Sequence, residues 1–191
     1  MALAPSQQAV FDYLVAGPGV QHRVSPPDQR GWVAFTSSGG GADADPGTVE
    51  FRKTRGFGDC ELHYAAFRTT GGQEQWLLSR TWRRPGGDWA AGPIGGGGGG
   101  HPARRRPWVN FAAMWGDALF AGGGEVTGDG CEQAHLVRLT FADGTAVQDG
   151  ADQGVVLFFV PRAVTFPASV QILGRDGTVL AAYEEFAEFA D

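Results

Sequence analysis

Two Asp-Gly pairs, Asp143-Gly144 and Asp176-Gly177, constrain the last third of this chain more than any other feature in it. Each sits between two runs of strand character. Leu136–Phe141 and Thr145–Val147 flank the first pair, and Ser169–Leu173 and Thr178–Leu180 flank the second. An Asp-Gly pair tolerates positive φ at both central turn positions, which matches the right-handed twist of two antiparallel strands. Each unit therefore reads as a β-hairpin. Between them runs Val155-Val156-Leu157-Phe158-Phe159-Val160, apolar on both faces and closed by Pro161. A strand with no polar side must be covered twice. The expected arrangement is a central strand flanked by two hairpins with a second layer over them. Its paired layers would bury Val137, Leu139, Phe141, Val156, Phe158, Val170 and Ile172.

The upstream chain is also strand-rich. With 31 glycines and 11 prolines in 191 residues, turns are frequent and long helices are disfavoured. Ser6–Ala16 is the exception. Pro5 and Ser6 are start signals, Gly17-Pro18 is a stop, and Val10, Phe11, Leu14 and Val15 make one apolar face. A Pro-rich connector, 18–30, leads to a short strand at Gly31–Thr36 and a loop of small and acidic residues. Thr48–Lys53 alternates as a half-buried strand. Cys60–Thr70 and Gln75–Arg83 form a hairpin across Gly71-Gly72, and Trp89 ends a further short strand. Gly95–Gly100, followed by Arg104-Arg105-Arg106, is the strongest boundary signal. The chain is thus expected to be all-β, with antiparallel sheets in a sandwich-like arrangement and one short N-terminal helix. The expected divisions are a first half at 1–94, a Gly/Arg-rich linker at 95–106 and a sandwich-like half at 107–191.

Convergent chemistry is sparse. Cys60 and Cys131 have similar settings, Gly58-Asp59-Cys60-Glu61 and Asp129-Gly130-Cys131-Glu132, and a disulfide between them would staple the halves. Two buried thiols are the alternative. Cys60 with His63, and Cys131 with His135, supply the ligand types of a zinc site. Residues three apart in a strand point to opposite faces, however, so strand histidines with ordinary partners are the simpler reading. The glycine run carries no G-x-x-x-x-G-K-[ST] pattern, and G-x-S-x-G and H-E-x-x-H are absent as well. No cofactor is expected. Trp82-Arg83-Arg84 and Arg104-Arg105-Arg106 with Trp108 mix aromatic and basic side chains, and these are the candidate binding residues.

Charge and hydropathy limit the partners. A formal charge of −6 disfavours nucleic acid as a general partner. No run approaches the roughly 18 apolar residues of a membrane span. Met1-Ala2-Leu3-Ala4-Pro5 lacks the basic start and apolar run of a secretory signal, so a cytoplasmic protein is expected, or a secreted one if an export sequence has been removed.

Val137–Thr145, Val155–Pro161 and Val170–Val179 together resemble a C-terminal β-sandwich found in many uncharacterised actinobacterial proteins, over about residues 107–186. The resemblance implies a small sandwich of the carboxypeptidase-regulatory or transthyretin-like kind. It brings no known catalytic residues.

The leading reading is a non-catalytic interaction or structural module. Its protein partner is unidentified, and its contact surfaces are the Trp/Arg residues and the sheet edges. The sheet edges would also permit a homo-oligomer. The alternative is a small enzyme or ligand-binding protein with a Cys/His site, with or without zinc, at the seam between the halves.

Overall fold

Pro5 occupies the first turn of the one α-helix among the described residues, α1 (Pro5–Val15), where a missing N–H costs nothing. Gln7 reaches back to accept from the Ala4 N–H. Val10 and Leu14, four residues apart, are fully buried against Ala65, Phe67 and Leu77. In this computed structural model the described residues are 2–16, 43–98 and 104–184. The strand expected at Gly31–Thr36 and its flanking connector lie outside them. The chain divides into two compact units, 1–100 and 101–191.

The first unit is an antiparallel meander carrying α1. Its strands are β1 (Glu50–Phe57), β2 (Cys60–Arg68), β3 (Glu74–Arg83) and β4 (Trp89–Gly98), paired in that order. The β2–β3 hairpin is in register from Cys60↔Trp82 to Arg68↔Glu74.

The linker expected from Gly95 onward meets a strand there. Gly95–Gly98 finishes β4, with Gly97 opposite Trp76 and Gly98 opposite Gln75. Glycine has the least intrinsic preference for a strand, so the run reads as a linker by composition. Here its missing side chains make room for the neighbouring strand. A Cβ on Gly96 would lie 2.5 Å from the Trp76 carbonyl oxygen, and one on Gly97 would lie 3.3 Å from the Trp76 ring. Trp76 in turn stacks on Tyr64 at 5.5 Å. Close backbone approach is what selects glycine in a strand interior.

The second unit is a sandwich of two antiparallel sheets. Its strands are β5 (Trp108–Trp115), β6 (Phe120–Thr127), β7 (Leu136–Phe141), β8 (Ala146–Gly150), β9 (Val155–Val160), β10 (Ala168–Leu173) and β11 (Val179–Tyr183). One sheet runs β5-β6-β9 and the other β11-β10-β7-β8. Val109, Phe120, Val156 and Phe158 from the first meet Val137, Leu139, Phe141, Val170 and Ile172 from the second in one core.

Both Asp-Gly units are hairpins, β7–β8 and β10–β11. Their turns differ from the expectation of positive φ at both central residues. Only Gly144 (φ 80) and Gly177 (φ 82) are left-handed. Each aspartate instead accepts from the N–H two residues on, Asp143 from Thr145 at 2.8 Å and Asp176 from Thr178 at 3.0 Å. The carboxylate mimics a backbone turn and leaves the unusual conformation to glycine alone.

The apolar run also has a different place from the one expected. β9 is buried, with Val155, Val156 and Leu157 all at 0% exposure. It is not a rung between the hairpins, because β7 and β10 pair directly, from Phe141↔Ala168 to Leu136↔Leu173. β9 lies in the facing sheet and pairs with β6. Periodicity reports how many faces of a strand are covered, not which sheet holds it. As an edge, β9 is protected: the Asp149 carboxylate of β8 accepts from the Leu157 N–H at 2.7 Å.

Candidate interaction surface

In the second unit, three arginines precede β5, which begins at Trp108, and Tyr183 ends β11. β5 and β11 are outer strands of different sheets. The Trp108 and Tyr183 rings nevertheless meet edge to face, 4.5 Å apart at 82°. The Tyr183 hydroxyl donates to the Pro107 carbonyl, which fixes the ring. Arg104 lies over the Trp108 ring at 4.5 Å and Arg106 over the Tyr183 ring at 4.6 Å. The result is a stack, guanidinium–indole–phenol–guanidinium. Each cation–ring contact is worth about 0.5–1 kcal/mol at an exposed site.

The backbone beneath is held in place. Arg104 O accepts from the Asp129 N–H at 2.9 Å. A Cβ on Gly128 would lie 2.4 Å from Arg106 O. Arg104, Arg105 and Arg106 are exposed, and among the described residues none has a carboxylate partner. A guanidinium stacked on a ring keeps its in-plane N–H donors available for a planar anion. Burial raises the Tyr183 hydroxyl above its ordinary pKa, and the two arginines pull it partly back.

The other candidate binding residues lie in the first unit. Arg83 sits over the Trp89 ring at 5.2 Å, and Arg84 is exposed. Trp82 is only 4% exposed, with its ring against Gly92, so it packs inside and is no surface residue. Tyr183 escaped the sequence reading. Its partners lie some 76 residues upstream, and no local pattern announces a contact of that span.

The cysteine and histidine candidates are dispersed. Both cysteines are free thiols in this structure. Cys60 is buried and its thiol donates to the Phe57 carbonyl at 3.4 Å. His63 projects from the opposite face of β2, because three residues separate the two along a strand. Cys131 lies in a 3-10 turn, Cys131–Gln133, while His135 lines an open groove of about 590 Å³ with Glu132, Arg175 and Asp176. No group of three or more His, Cys, Asp or Glu among the described residues could hold a metal.

His63 has a different setting, under α1. Gln7 donates to Thr54 Oγ1 at 3.4 Å, and Thr54 lies 3.0 Å from His63 Nδ1. His63 Nε2 is 2.9 Å from Thr81 Oγ1, which donates to the Glu61 carbonyl. Each ring nitrogen thus has a hydroxyl partner. The Glu61 carboxylate lies 3.6 Å from Nε2 and accepts from the Ser6 hydroxyl of α1 at 2.6 Å. Burial lowers the His63 pKa from 6.5 to about 4, outweighing the pull of Glu61 in the other direction. At neutral pH this imidazole is uncharged and fully enclosed, and Ser6 and Gln7 of α1 reach the sheet through its neighbours Glu61 and Thr54.

A comparison with protein-family models, curated proteins and solved structures finds no match for this chain. What the fold itself defines is an all-β protein of antiparallel sheets with one N-terminal helix. No helix among the described residues is long and apolar enough to cross a membrane.

Proposed function

We propose that this protein is a non-catalytic interaction module whose second unit is a sandwich of the carboxypeptidase-regulatory or transthyretin-like kind. Its partner is engaged through the stack of Arg104, Trp108, Tyr183 and Arg106. The observation that carries this reading is the set of exposed guanidiniums, seated on rings and without carboxylate partners among the described residues. Arginine and aromatic residues are enriched where proteins meet. The competing Cys/His site loses support from the opposite facing of Cys60 and His63 on β2 and from the enclosure of His63.

The test is a photo-crosslinking residue in place of Arg105, in the full chain and in cells of the source organism. We expect discrete adducts that disappear when R104A and R106A are added. Adducts that are absent, or indifferent to the two substitutions, would refute the module.

A further inference from the structure

We infer that the open side of the sandwich, where β5 and β11 meet, binds an extended, carboxylate-rich peptide segment. The inference rests on the interaction-module reading and names the class of partner.

Three observations converge on it. The first is charge. The chain holds 21 Asp and Glu residues, yet among the described residues none pairs with Arg104, Arg105 or Arg106. Clustered cations with no carboxylate partner among the described residues complement an external anion. The fork of a guanidinium matches a carboxylate through two parallel hydrogen bonds.

The second is the edge. β11 ends its sheet, and Val179 (51% exposed) and Ala182 lie open along it. An outer strand is a template for a further strand. In an extended peptide alternate side chains share one face, about 7 Å apart. Acidic residues at alternate positions would therefore present a row of carboxylates to Arg106 and Arg104.

The third is rigidity. The Tyr183–Pro107 hydrogen bond and the close approach of Gly128 to Arg106 O hold the platform before any partner arrives. Pre-organised groups lose less freedom on binding. A nucleic-acid strand fits less well. One face of each ring is already covered by a guanidinium, which leaves less aromatic surface for bases to stack on.

The experiment titrates the full chain into fluorescently labelled (Glu-Thr)4, (Lys-Thr)4 and a ten-nucleotide oligo-dT, read by anisotropy at low salt. The expected result is saturable binding of (Glu-Thr)4 alone. R104A/R106A should weaken it at least tenfold. R104K/R106K should weaken it severalfold, because an ammonium keeps the charge and loses the planar fork. Circular dichroism reports whether each variant is folded. The charge-reversed R104E/R106E chain should take up (Lys-Thr)4 instead, which keeps the test decisive if the alanine variant unfolds. Amide resonances that shift on peptide addition should map to 104–108 and 179–183. The peptide assignment is overturned by no binding, by binding indifferent to the arginines, by shifts elsewhere, or by tighter binding of oligo-dT. Those outcomes leave the crosslinks at position 105 untouched, so the loss of the partner class and the loss of the module reading are separable.

Discussion

At the scale of single residues, His63 shows how a fold silences a titratable group. Its ordinary pKa lies near 6.5 and burial brings it to about 4. The Glu61 carboxylate opposes that shift, and the hydroxyls of Thr54 and Thr81 occupy both ring nitrogens. Above pH 6.5 the imidazole is neutral in both the folded and the unfolded chain, so it adds no pH dependence. Between 6.5 and about 4 the unfolded chain takes a proton that the folded one refuses, and stability falls with pH. Below about 4 both states are protonated and the loss is complete. The loss is on the order of 3 kcal/mol. Urea unfolding at pH 7.5 and pH 4.5 checks this. The wild-type chain should lose more stability on acidification than His63→Gln, and equal losses would show that His63 is not the group responsible. From sequence, His63 was legible as a strand histidine with ordinary partners. Its partners Thr54, Thr81 and Glu61 come from three strands, and only their pairing brings them to one ring.

Among the elements, β6 and β4 teach the same lesson about glycine. Gly122, Gly123 and Gly124 sit in the middle of β6, between β5 and β9. A Cβ on Gly124 would lie 1.8 Å from the Asn110 carbonyl oxygen, and one on Gly123 would lie 2.4 Å from the Val156 carbonyl oxygen. Gly124→Ala is therefore expected to destabilise by about 3 kcal/mol or more, the upper end of overpacking costs. Gly116 has nothing within 4 Å of its Cβ position, so Gly116→Ala should stay within about 0.5 kcal/mol of wild type. Denaturation midpoints of the two variants make the comparison, and similar values would dismiss close strand approach as the reason for the glycines. The hairpins were readable because their signals are local, an aspartate and a glycine between two alternating runs. The Gly95–Gly98 strand was not, because it is held by its partner rather than by its own preference.

At the scale of the whole molecule, each unit carries one cysteine. Cys60 is 5% exposed and Cys131 is half-buried. Intact mass should be the same with and without reductant, since neither thiol is bridged. A native-state alkylating agent should modify Cys131 well before Cys60, with mass mapping of the labelled peptides as the readout. A mass change on reduction would contradict the thiol state, and equal labelling rates would contradict the difference in burial. The division at 1–100 and 101–191 falls inside the glycine- and arginine-rich stretch that composition marks as a boundary. The arginines of that stretch are nevertheless part of the second unit, tied to its first and last strands.

The amino-acid order by itself determined the all-β class, the N-terminal helix, both hairpins, and the burial of Val155–Val160. These rest on periodicity and turn chemistry, which act between residues near one another in the chain. Only the tertiary structure decided that β9 joins β6 rather than the hairpins, that glycines complete β4, and that Tyr183 meets Trp108 and the arginines. Those outcomes depend on pairings between distant segments. Such pairings are set by which surfaces fit when the whole chain closes, and no short window of sequence records that.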